Sequence, residues 1–203
     1  PSHQIGGLML VTAFLSMWMS NTATAVMMLP IALSIIEMVR QKQSDDSTDN
    51  FSKPMLLAIA FSASIGGLAT LIGTPPNALM AAYLSDSYNI EIGFAQWMIV
   101  GVPLSAVLLV MCWFILTRVC YQVNEGEQVD TSSMFETKLQ ELGAMSKAEK
   151  LVLFFFGLAA MGWIFRPLIA KMTGLAISDT GIAMFVALML FIVPVDSKKD
   201  IRI

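Results

Sequence analysis

The chemistry this sequence offers lies in uncharged oxygens set in the middle of long apolar runs. Ser20, Asn21 and Thr22 interrupt residues 5–39, which are otherwise almost wholly apolar. A second apolar stretch, residues 55–84, is interrupted by Ser62, Ser64, Gly66 and Gly67 and then by Ile72-Gly73-Thr74-Pro75-Pro76-Asn77. Two hydroxyls, an amide and the backbone of a helix that unwinds beside them can bind a hard cation through oxygen or an anion through N–H. The helices that restart after Thr22 and near Pro75 add positive N-terminal ends, each able to face an anionic oxygen, and proline suits a first helical position. Neither interruption contains Asp, Glu, His, Lys, Arg or Cys. No base, nucleophile–base pair or metal-binding cluster stands there, so enzymatic chemistry is disfavoured. The single histidine, His3, reads as solvent-facing or interfacial, and Glu37 and Asp86 flank the apolar runs as markers of the water interface.

These groups must be held by a membrane-embedded scaffold. With 56% hydrophobic and 13% charged residues and a mean hydropathy of +0.71, the long apolar stretches read as transmembrane, and a nucleic-acid role is excluded. The net charge of −3 says little, because the charges sit in connecting segments. As one helix, the roughly 35 residues of the first run would measure about 50 Å, against about 30 Å of hydrocarbon core, so the run must bend. The bend falls most easily at Ser20-Asn21-Thr22, with about 15 apolar residues before it and about 17 after, each short of the ~20 that a crossing needs. That pattern predicts a re-entrant hairpin. Non-helical backbone survives at membrane depth only where protein or a watery cavity satisfies it, so the turn should line a cavity.

Thr74-Pro75-Pro76 should break the second run into residues 55–72 and a half-helix over 77–84. Residues 95–117 read as one crossing, with Trp97, Trp113 and Tyr121 as interfacial aromatics, and residues 151–168 and 177–195 as two more. Between them, Met134, Phe135, Leu139, Leu142 and Met145 recur every three to four residues and predict an interfacial helix. The expected organisation is a hairpin over 1–39, a cytoplasmic loop over 40–54, a broken transmembrane helix and outer loop over 55–93, a transmembrane helix over 94–118, a cytoplasmic interfacial helix and linker over 119–150, and two transmembrane helices over 151–203. The fold class is all-α membrane protein. If the hairpin does not cross, Arg40, Lys42, Lys53, Arg118, Lys138, Lys147, Lys150, Lys198, Lys199 and Arg202 share one side, leaving Arg166 and Lys171 for the other. The positive-inside rule puts the larger group in the cytoplasm. Cys112 and Cys120 lie along one span and read as free thiols. The opening residues, Pro1-Ser2-His3-Gln4, carry no signal-peptide pattern, and the chain reads as an internal piece of a longer protein.

A lone Ser-Asn-Thr reads first as hydrogen-bonding glue between helices. Two uncharged interruptions in succession favour a binding site instead, and paired broken helices are the pattern that points to the midplane site of a secondary transporter. For Ser62, Ser64, Gly66 and Gly67 close helix packing leads, and the 16 methionines read as core or lipid-facing filler.

Ser20-Asn21-Thr22 in a hairpin, followed by Ile72-Gly73-Thr74-Pro75, resembles the divalent-anion:sodium symporter family, the INDY-like Na+/dicarboxylate cotransporters. The resemblance implies a homodimeric elevator-type carrier of the bacterial plasma membrane, built from two inverted repeats, that moves C4-dicarboxylates such as succinate with sodium ions. It implies substrate contact at Ser20, Asn21, Thr22, Thr74 and Pro75, and a sodium site from Ser16, Ser20, Asn21 and the backbone near Gly73. It also implies that residues 151–203 open a second repeat, so that this chain holds about half of a binding site. Two other readings stand beside it: an anion exchanger or proton-driven relative of the same superfamily, and a non-transporting membrane scaffold whose breaks are packing devices.

Overall fold

The computed structural model describes residues 2–40, 45–121, 140, 143–173, 177–196 and 201–202. They belong to two units, residues 1–131 and 132–203. In the first, α1 (Ser2–Ser16) and α2 (Asn21–Arg40) are joined by an elbow over residues 17–20. The bend therefore stands at the polar tripeptide, with Ser20 ahead of α2 and Asn21 as its first residue. Tight turns close it, as the N–H groups of Trp18 and Met19 both donate to Leu15 O, at 3.0 and 3.1 Å.

The second arm departs from expectation. At 20 residues, α2 is long and apolar enough to cross a membrane, because the helix takes in Asn21, Thr22 and Arg40 on either side of its apolar run. Length alone no longer separates a re-entrant arm from a crossing one.

The broken helix also divides earlier than the prolines predict. α3 (Asp45–Gly67) is followed by an irregular loop over 68–74 and then by α4 (Pro75–Tyr88). Pro75 and Pro76 start the second half rather than stopping the first, which suits residues that lack an N–H at positions where none is needed. Asn89 closes α4 in the left-handed region at φ 53°, its N–H donating to Ser85 O at 3.0 Å while that of Ile90 donates to Leu84 O at 3.1 Å. α5 (Phe94–Phe114) continues through a π-helical turn, Ile115–Cys120, and the two together form a second helix long enough to cross.

Within this unit many bulky apolar side chains face outward, and small or hydroxyl ones share the interior with apolar ones such as Ile5, Met9, Met55 and Phe94. On α5, Gly101 and Ser105 are buried while Ile99, Val100, Val107 and Val110 are exposed. On α1, Thr12, Ala13 and Ser16 are buried while Leu10, Val11 and Phe14 are exposed. At these positions small and hydroxyl side chains face neighbouring helices while bulky apolar ones face outward, as in helices packed within lipid. α3 lies at the centre, against α1, α2 and α5. The packing expected of its glycines is found: a Cβ on Gly66 would overlap the backbone carbonyl of Ala13, and one on Gly67 would overlap Asn21 Oδ1. Trp97 and Trp113 are not merely interfacial, since their indole N–H groups donate to Leu68 O and Ser2 O, each at 3.0 Å. Both cysteines are free thiols.

The second unit pairs α6 (Lys147–Thr173) with α7 (Asp179–Ile192) around Phe155, Ala159 and Val186. α6 starts earlier than its apolar run because Ser146 and Glu149 cap it reciprocally: Glu149 N–H donates to Ser146 Oγ at 3.2 Å and Ser146 N–H to Glu149 Oε2 at 2.7 Å. It is the third helix long enough to cross, whereas α7, at 14 residues, is shorter than the expected span over 177–195. Ser178 caps α7, and Arg166 pairs with Asp179 at 3.3 Å. A short antiparallel pair, β1 (Pro194–Asp196) and β2 (Ile201–Arg202), follows. The expected interfacial helix falls mostly outside the described residues, and Met145, within them, stands exposed and outside any helix ahead of α6.

Candidate functional site

At the elbow, the buried Ser16 ends α1 with Oγ 2.9 Å from Asn21 Oδ1 and 2.6 Å from Ala63 O. One hydroxyl proton serves two acceptors there, so three oxygens, from Ser16, Asn21 and Ala63, converge with a single hydrogen among them. Such a group suits a cation. Asn21 in turn lies against Gly67, where only the absence of a Cβ allows its Oδ1 to approach. Thr70 Oγ1 donates to Met17 O, which ties the break loop to the elbow.

The backbone of the break is held from two sides. From α4, the buried Asn77 donates its side-chain N–H groups to Gly67 O at 2.9 Å and Thr70 O at 2.8 Å. From α5, Trp97 Nε1 reaches Leu68 O at 3.0 Å and Ser105 Oγ reaches Ile65 O at 2.9 Å. Gly101, between them, lets the carbonyls of Leu68 and Ala69 come close, since a Cβ there would stand 2.9 and 2.7 Å from their oxygens. Residues 97, 101 and 105 are four apart and so lie on one helical face, which cradles the break. Trp18 stacks on Phe94 with ring centroids 6.1 Å apart, seating the elbow on the start of α5. These donors serve the carbonyls of Ile65, Gly67, Leu68 and Thr70, and none of them reaches residues 71–73.

The sequence-predicted residues are thus partly brought together. Ser16 and Asn21 are bonded, and Gly73, also buried, approaches Gly67, where a Cβ on Gly73 would stand 2.5 Å from Gly67 O. Ser20 and Thr22 are exposed, and Ser20 Oγ accepts from Ala23 N–H at 3.3 Å. Thr74 precedes α4 with no side-chain capping bond, and Pro75 is exposed at the first helical position.

One expectation narrows. α4 cannot offer an anion the N–H groups that α2 can, because Pro75 and Pro76 have none and Asn77 N–H already donates to Thr74 O at 3.1 Å. Its positive end survives as a dipole only. Sequence reasoning missed Thr70, Gly101 and Ser105, and it placed Asn77 in the second interruption without giving it a role. The four-residue spacing of Trp97, Gly101 and Ser105 was the available signal. Among the described residues no group of three or more His, Cys, Asp or Glu could hold a metal ion.

Two uncharged helix interruptions fastened to each other, among helices long and apolar enough to cross a bilayer, define an integral membrane protein with a polar site at its breaks. The chain belongs to the citrate transporter family, CitMHS, whose family model matches residues 1–202, a family of transporters and not of enzymes. It is 37% identical over 199 residues to the sodium-dependent dicarboxylate transporter SdcS of Staphylococcus saprophyticus, covering 95% of this chain and 38% of that protein. It is 38% identical over 202 residues to SdcS of Staphylococcus aureus strain USA300, covering 97% and 39%. The chain thus spans about two-fifths of the length of these relatives.

Proposed function

We propose that the protein to which this chain belongs is a sodium-coupled dicarboxylate symporter of the bacterial plasma membrane, and that residues 1–121 supply one half of its binding site. The observation that carries the reading is the convergence of Ser16, Asn21 and Ala63 O beside a break loop, in a region without fixed charge. The names of the SdcS relatives support the ion and the substrate class. Ser16, Ser20, Asn21 and Gly73 are assigned to sodium. Ser20, Asn21, Thr22, Thr74 and Pro75 are assigned to the dicarboxylate.

Coupling follows from electrostatics. A dianion entering an uncharged, partly dehydrated site would lose hydration that nothing there replaces. Sodium held at the elbow supplies the missing charge, so an empty site repels the carboxylate and a loaded one accepts it. The N–H groups at the start of α2 then face a carboxylate oxygen. The re-entrant course of α1 and α2, a second repeat opened by α6 and α7, homodimer formation and elevator movement complete the reading.

Succinate uptake by vesicles containing the full-length protein, with sodium or choline outside, tests it. Sodium should raise uptake, and equal uptake in choline would overturn the symporter. The family's description as citrate transporters favours citrate as a second substrate, and competition of unlabelled citrate against labelled succinate decides between them.

A further inference from the structure

We infer that Thr70 and Asn77 form a clasp that holds the break loop against the hairpin elbow and so positions the sodium ligands without either side chain touching the ion. The inference rests on the sodium-site reading above and adds two positioning residues to it.

The clasp is continuous. Asn77, 5% exposed, uses both hydrogens of its amide, one on Gly67 O at 2.9 Å and one on Thr70 O at 2.8 Å. Thr70, 0% exposed, donates its hydroxyl to Met17 O. α4, the break loop and the elbow are thereby linked in series, by two buried bonds and one half-buried one.

The consequence for the ion lies at Gly67. It is the last residue of α3 and the surface on which Asn21 Oδ1 rests, and that same oxygen stands 2.9 Å from Ser16 Oγ. A shift of Gly67 moves Asn21, and a shift of residue 70 moves the backbone of the elbow. Carbonyls at an unwound helix end in an apolar surround must be paired. Asn77 pairs two of them at fixed positions, which sets the shape of the loop before any ion arrives. Local glue would need only one acceptor, whereas this amide joins the end of the helix to the middle of the loop.

The test uses the full-length protein in detergent, with sodium chloride titrated against choline chloride and Tm read at each concentration. A bound ion raises Tm once its concentration passes its dissociation constant. In Thr70→Val, which keeps the shape and removes the hydroxyl, and in Asn77→Ala, the sodium concentration at which Tm begins to rise should increase about ten-fold, the size of one lost buried hydrogen bond. The double variant should match the singles, because the bonds act in series. Thr70→Ser should behave as the native protein. Native-like sodium onset in both single variants, with only the choline Tm lowered, would overturn the clasp and leave ordinary structural bonds. A Thr70→Val protein that cannot be recovered while Thr70→Ser can would overturn it for Thr70, and Asn77→Ala then decides for the amide by the same onset. A native protein whose Tm ignores sodium would instead remove the sodium site itself, and the clasp's role with it.

Discussion

At the hairpin elbow the polar groups are side chains at a helix start, while at the break they are backbone carbonyls at a helix end. α2 opens on Asn21 and Thr22, whose N–H groups lie outside the capping bonds that Ser20 makes to Ala23 and Thr24. α4 opens on two prolines and an N–H already bonded to Thr74 O. The start of α2 can therefore serve an anion through backbone N–H and the elbow a cation through Ser16 and Asn21, whereas the start of α4 has no free N–H and can meet an anion only through the Thr74 hydroxyl. The difference teaches that two helix starts beside one polar cluster need not be equivalent. Positive helix ends alone do not make two equal anion sites, because proline removes the donors from one of them.

The largest expected effects fall where the two regions touch. Gly66→Ala would set a Cβ into the backbone of Ala13, with its α-carbon only 2.6 Å away. A backbone cannot rotate aside, so α1 and α3 must separate, at a cost of about 3 kcal/mol. Low recovery of monodisperse full-length protein and a depressed Tm should follow, and a normal Tm would show that the close approach is not needed. Gly67→Ala meets a side chain instead, that of Asn21. Asn21 can swing away, so the protein should assemble while sodium-driven succinate uptake falls about a hundred-fold, the scale of a lost bond to a charged group. Asn21→Ala should lose as much, and the pair together no more than either alone. Uptake surviving in Asn21→Ala would return the tripeptide to interhelical glue.

The contrast between the regions also explains what could be read in the sequence. The elbow was legible because its chemistry is written in side chains: Ser20, Asn21 and Thr22 are polar where everything nearby is apolar. The end of α3 was misplaced because Pro75 and Pro76 are conspicuous, whereas the actual stop depends on Asn77 and Ser105 reaching carbonyls of residues 65–70. No single-residue preference encodes a bond across 40 positions. Trp97 shows the same limit. As an aromatic near a span's end it fits the interfacial belt equally well, and only packing against Leu68 O reveals its second role. The length of α2 was underestimated for another reason, since an apolar count stops at polar residues through which a helix continues.

Intermediate effects should come from α5, whose bonds reach the break but not Ser16 or Asn21. Trp97→Phe keeps most of the ring and removes the bond to Leu68 O, and Ser105→Ala removes that to Ile65 O. Each should cost about 1 kcal/mol. Expressed as the sodium concentration for half-maximal uptake, that is a rise of several-fold, with the succinate KM at saturating sodium little changed. An equal rise in both constants would mean that α5 supports the whole site evenly and not the carbonyls of residues 65–68 in particular.

An effect of opposite sign, with none on uptake, is expected one helical turn past the elbow. Thr24 is fully buried, and its hydroxyl has no hydrogen-bond partner among the described residues. A buried hydroxyl without a partner is a cost, while a methyl of the same shape in the same place is not. Thr24→Val should therefore leave uptake intact and raise Tm slightly, by a stabilisation of about 1 kcal/mol. The same substitution at Thr70, whose hydroxyl is bonded, should do the reverse. The two threonines thus form an internal control, with identical chemistry removed from a paired and from an unpaired hydroxyl. If Thr24→Val abolished uptake while stabilising the fold, the orphaned oxygen would be held in reserve for an ion, and the cation site would extend from the elbow into α2 instead of ending at Asn21.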